Sequence, residues 1–60
     1  MFFIEVWSNE MREDMTAQEM LIAARSTRSA GSARMIANHA KAQGHWVNLI
    51  HPDGHCEAIS

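Results

Sequence analysis

The chain has 60 residues, with seven acids against five bases, four histidines and one cysteine. A domain of this length (1–60) buries only about 60% of the surface its unfolded chain exposes, and Cys56 has no second cysteine for an internal disulfide, so a large core and a disulfide scaffold are both excluded. No apolar run approaches the roughly 18 residues of a membrane span, and Met1-Phe2-Phe3-Ile4 meets Glu5 at once, with no basic leader and no cleavage site.

A lone thiol suits a reducing compartment. The expectation is a cytoplasmic protein without a membrane partner, and the initial Met with no tag-like segment reads as a complete small reading frame.

In chain order, FFIEVW (residues 2–7) is rich in aromatic and β-branched residues and predicts a strand. SNEMREDM (8–15) is a polar connection in which Met11 and Met15 could offer an adaptable surface. Thr16-Ala17-Gln18-Glu19 matches a capping box, and good helix formers follow. Apolar residues at 17, 20, 21 and 24 have helical spacing, and so do Ala33, Ile36, Ala37 and Ala40. The two quartets lie sixteen positions apart, which turns the second by about 160° on one straight helix. Ser29-Ala30-Gly31-Ser32 breaks them, with Ser29 or Ser32 as a cap.

Two helices over 17–27 and 32–43 are therefore the preferred reading. A strand at 20–26 (MLIAARS) pairing with 2–7 competes with it, giving ββαββ around a single helix near 32–43. Gly44 is expected to end the last helix as a left-handed residue. HWVNLIH (45–51) alternates as a strand. His51-Pro52-Asp53-Gly54 suits a type I turn, and 55–60 returns antiparallel. The fold class is α+β: a small antiparallel sheet, from the N-terminal strand and the C-terminal β-hairpin, packed by one or two helices.

No reaction centre is visible. His45, His51, His55 and Cys56 gather at the hairpin, but pairing of 51 with 55 puts only those two histidines on a common face, with Glu57 reachable only diagonally. A structural zinc site needs four ligands, so no metal is expected unless two chains share His51 and His55. Cys56 falls opposite Ile50, an apolar neighbour that leaves a thiol inert, and is read as a small buried hydrophobe. Gly31 stands alone, without the Gly-x-Ser-x-Gly of a nucleophile elbow or the Gly-Lys-Ser/Thr of a phosphate loop. The chain is read as not an enzyme, with no cofactor.

The charges are unevenly placed. Glu5, Glu10, Glu13, Asp14 and Glu19 face Arg12 alone in the first third, whereas Arg25, Arg28, Arg34 and Lys41 follow with no acid between residues 21 and 42. Much of this pattern suits helix dipoles. The rest suggests a basic contact surface, in which Arg25, Arg28, Arg34 and Lys41 are the candidate partner-binding residues. Trp7 and Trp46 default to core packing on strands, but an exposed tryptophan would anchor a protein partner.

In size, N-terminal strand, the helix SARMIANHAKAQG and the closing hairpin, the whole chain resembles in outline the tiny α+β proteins of bacteriophages and other mobile elements, some anti-CRISPR proteins among them. The resemblance implies a stoichiometric regulator or inhibitor of a host macromolecular complex, and transfers no functional residue. The leading expectation is thus a non-enzymatic protein-binding module, with a homodimer also open. The alternative is a small nucleic-acid-binding regulator using the basic helix face.

Overall fold

The computed structural model describes residues 1–10 and 13–59, without the side chain of Ala17. Along the chain run β1 (Phe2–Trp7), α1 (Ala17–Met20), β2 (Leu21–Thr27), α2 (Ala30–Ala42), β3 (Trp46–Ile50) and β4 (Cys56–Ile59). The strands form one sheet in the order β2-β1-β3-β4, and every neighbouring pair is antiparallel. α2 packs on one side of it, so the α+β class and the sheet of N-terminal strand plus C-terminal hairpin hold. Of the two arrangements weighed, ββαββ is the one formed.

The preferred helix over 17–27 is therefore corrected. Its capping box does form: Thr16 Oγ1 accepts from the Glu19 amide at 3.2 Å and donates to Glu19 Oε1 at 3.2 Å. It opens only one helical turn, because the Met20 carbonyl takes the Ser8 N–H at 2.7 Å and the chain then leaves as a strand. An isolated eleven-residue helix is marginal in water. As a strand the same residues pair with a β1 edge that would otherwise be open, from Phe2↔Thr27 to Trp7↔Leu21. The register shifts at Val6/Trp7, leaving Ile22 as the extra residue of a bulge.

Local signals around α2 are met in detail. Ser29 is the N-cap, its Oγ accepting the Ser32 amide at 3.2 Å. At the other end Gly44, at φ +90°, lets its amide reach the Lys41 carbonyl at 2.8 Å while His45 N–H reaches the Ala40 carbonyl at 3.3 Å. This is the double bond pattern of a Schellman stop. The β3–β4 turn closes with Gly54 N–H on the His51 carbonyl at 2.9 Å and His51 N–H on the His55 carbonyl at 2.8 Å. Asp53 accepts the His55 amide at 2.9 Å, which holds its carboxyl below the ordinary value.

The core lies between α2 and the sheet: Ile4 and Val6 from β1, Val47 and Leu49 from β3, and Ala33, Ala37 and Ala40 from α2. The alanine stripe lets the helix backbone sit close on β1 and β3. It also keeps the core small, since three of its seven residues contribute one methyl each. Met35 is 73% exposed and fills no gap in this core. Met11, Arg12 and Ser60, which figured in the expectations for the polar connection, the charge pattern and the last strand, lie outside the described residues. No helix of the described residues is long and apolar enough to cross a membrane.

Candidate functional site

Strand alternation puts Ile4, Val6, Val47 and Leu49 under the helix, so the intervening residues of every strand point to the opposite side. Among the described residues no helix or strand packs there. An antiparallel sheet with one solvated face ordinarily alternates apolar-in and polar-out. FFIEVW does not, and the alternation expected over 45–51 is corrected as well: FFIEVW and WVNLI carry apolar side chains on both faces, with Glu5 and Asn48 as the exceptions.

The registers fix the layout of this open face. One row across the strands is Ser26, Phe3, Ile50, Cys56; the next is Ala24, Glu5, Asn48, Ala58; the third is Leu21, Trp7, Trp46. Successive rows are about 7 Å apart along the strands. Two apolar rows thus flank a polar one, and Glu5 sits between Phe3 and Trp7 on β1. Trp46 is 59% exposed and Phe3 49%, while Trp7 is half-buried with its indole Nε1–H occluded and without an acceptor among the described residues. Glu5 is the only charged side chain in the three rows. Trp46, expected to pack in the core, is corrected: it is exposed on the side of the sheet away from α2. Cys56, expected as a small buried hydrophobe, is also corrected: it is exposed, because it lies on this uncovered side next to Ile50.

The four candidate cations are not gathered on one surface. Arg25 is on β2, the sheet edge, where the register with Ile4 turns it to the helix side. There it borders a groove of about 480 Å3 with Ile22, Met35, Ile36 and His39. Arg28 follows β2 in the connection to α2 and is exposed. Neither serves a helix dipole, since the segment preceding α2 is a strand. Arg34 and Lys41 flank the other side of α2. The Arg34 guanidinium grips Glu57 of β4 in a fork, Nη1 to Oε2 at 2.7 Å and Nη2 to Oε1 at 3.1 Å. Lys41 is exposed in the last helical turn, where a base does complement the helix dipole. Arg25, Arg28 and Lys41 have no ion-pair partner among the described residues.

Glu57 also meets His51 of the hairpin. His51 Nε2 lies 3.1 Å from its Oε1, and the His51 and His55 rings are 5.4 Å apart on one face, as their pairing predicts. The Arg34 fork, and after it the His51 contact, pull the Glu57 carboxyl down to about 2, and Glu57 raises Arg34 in turn. The Arg34 fork ties the helix to β4, and the diagonal His51 contact joins the end of β3 to the same carboxylate. Among the described residues no three His, Cys, Asp or Glu side chains are placed to hold a metal ion.

Comparison with known proteins finds no matching family model, no matching curated protein and no matching solved structure. The open sheet face, missed in the sequence, was signalled there by the failure of FFIEVW and WVNLI to alternate.

Proposed function

We propose that this protein is a non-enzymatic interaction module that binds another protein stoichiometrically, in the manner of a small regulator or inhibitor of a macromolecular complex. The observation that carries this reading is the uncovered sheet face with Phe3, Trp46 and the flank of Trp7 at its surface. Exposed tryptophan and phenylalanine on a rigid sheet supply large contact area at little entropic cost, which is why such residues dominate binding hot spots. A core of seven small and medium side chains leaves this face to contribute its burial only when a partner covers it.

A second reading has its own support. Arg25, Arg28 and Lys41 are exposed and carry no ion-pair partner among the described residues, as phosphate-binding cations would. Their distribution on either side of α2, away from the aromatic residues, favours the protein-binding reading. Base stacking and phosphate contact would have to occur on opposite sides of the sheet.

The test is a tagged pull-down from bacterial lysate, with and without nuclease, run in parallel with Trp46→Ala, Phe3→Ala and the triple variant Arg25→Ala/Arg28→Ala/Lys41→Ala. A protein retained through nuclease and moderate salt, lost with Trp46→Ala or Phe3→Ala and kept by the triple variant, is the expected result. Recovery of DNA or RNA that disappears on nuclease treatment and with the triple variant would overturn it. Three phosphate contacts on duplex DNA predict a log–log salt slope of roughly −2.7.

A further inference from the structure

We infer that the open sheet face receives an apolar surface of a different protein that carries a lysine or arginine at its centre, seated on Glu5. The inference rests on the interaction reading above and specifies the partner's chemistry.

The argument is one of charge complementarity at a fixed position. Glu5 occupies the middle of β1, itself an interior strand, with Ala24 and Asn48 as its cross-strand neighbours. Phe3 and Trp7 bracket it at about 7 Å on either side. Among the described residues its carboxylate has no ion-pair partner, and none of those sharing the face is basic. In the free protein water solvates it. When a partner covers Phe3, Trp7, Trp46 and Ile50, that water is expelled, and an uncompensated carboxylate in a dry interface opposes binding strongly. A cation on the partner removes that opposition and fixes the register of the two surfaces.

A second copy of this chain does not meet the requirement. Two open faces related by a two-fold axis bring together Glu5, Asn48 and the same apolar rows, with no cation among the described residues to compensate either carboxylate. The bases of the chain described here lie on the helix side, at its flanks, or in the connection to α2. The occupant is therefore a different protein, apolar in outline, with a lysine or arginine flanked by apolar groups that reach the Phe3 and Trp7 rows about 14 Å apart.

The probe is a library of a three-helix scaffold protein randomised over one helix face and selected against the full chain. Binding is read by the fluorescence of Trp7 and Trp46, which both lie on the face. Binders that lose affinity at least about tenfold against Trp46→Ala are expected to carry Lys or Arg within an apolar patch, and to weaken about tenfold or more against Glu5→Gln. Selection against Glu5→Lys should return Asp or Glu in that place. If Glu5→Lys does not fold, as judged by circular dichroism, the Gln variant alone decides.

Binders that depend on Trp46 but show no preference for charge and no response to Glu5→Gln would overturn the inference, while leaving the face as a binding surface. Binders indifferent to both Trp46→Ala and Phe3→Ala, or none at all, would overturn the interaction reading with it. A dimer in sedimentation velocity that Trp46→Ala dissociates would also overturn the inference, because the second copy would then be the occupant.

Discussion

The two faces of the sheet are made from the same two central strands and have opposite fates. On the covered face, Ile4, Val6, Val47 and Leu49 meet the alanine stripe of α2 and are almost wholly withdrawn from water. On the open face, Phe3, Trp7, Trp46 and Ile50 occupy the same strands one residue out of step, and two of them keep about half their surface or more in solvent. The aliphatic residues form the core, and three of the four large aromatics lie on the uncovered face. Burial of aromatic rings is among the largest favourable terms available to a small protein. A 60-residue chain with three of its four large aromatics on an uncovered face forgoes part of that term in folding, and the proposed protein-binding role rests on that area.

The largest expected effect breaks the covered face. Leu49 is one of the two largest fully buried side chains. Leu49→Ala removes its packing against Ile4 and the helix, at a cost of about 2–5 kcal/mol. A domain of this length has a total stability of roughly 3–9 kcal/mol. Urea or thermal denaturation followed by far-ultraviolet circular dichroism should therefore show the variant largely unfolded or close to it at 37 °C. A well-folded Leu49→Ala protein with a loss below about 1 kcal/mol would mean that the core is not where stability resides.

The matching change on the open face should separate folding from binding. Trp46→Ala removes a side chain that is 59% exposed and has Trp7 as its cross-strand neighbour. Cross-strand pairs contribute about 0.2–1 kcal/mol, so the same denaturation experiment should show a loss of about 1 kcal/mol or less. Partner retention should fall far more than stability. If Trp46→Ala unfolds the chain as Leu49→Ala does, the open face is structural and the contrast between the two sides collapses.

Much of this was legible in the residues, and the exceptions have physical causes. Ser29, Gly44 and the His51-Pro52-Asp53-Gly54 turn act through their immediate neighbours, so their roles could be read directly. The capping box at Thr16 was equally local and equally correct. What it could not specify was length. Residues 21–27 become a strand because β1, earlier in the chain and beyond the polar connection, offers them backbone partners, a non-local gain that helix spacing cannot express. Arg34 shows the same limit. Its place on α2 was evident, but its engagement by Glu57, twenty-three residues on, depends on β4 folding back beside β3. The open face was the least legible part: FFIEVW and WVNLI show apolar residues on both sides of the sheet, but not which side a helix covers.

The smallest expected effect concerns the polar rim of the covered face, where β4 is tied to α2 through Glu57. Its carboxyl titrates near 2 in the folded chain, against an ordinary value of 4.5. A depressed folded value means that the unfolded chain takes up the proton first as pH falls. The tie therefore stabilises fully above about pH 4.5 and is lost progressively towards pH 2. Glu57→Gln should accordingly melt slightly below the wild type at pH 6. The difference in Tm should shrink through pH 4.5 to 2 and vanish at the acid end. Because both Arg34 and Glu57 are open to solvent, raising the salt at pH 6 should narrow it as well. A difference that stayed constant across pH would show that Glu57 acts through packing of β4. No difference at pH 6 would show that the edge strand is held by its ladder to β3 alone, and that the covered face owes nothing to charge.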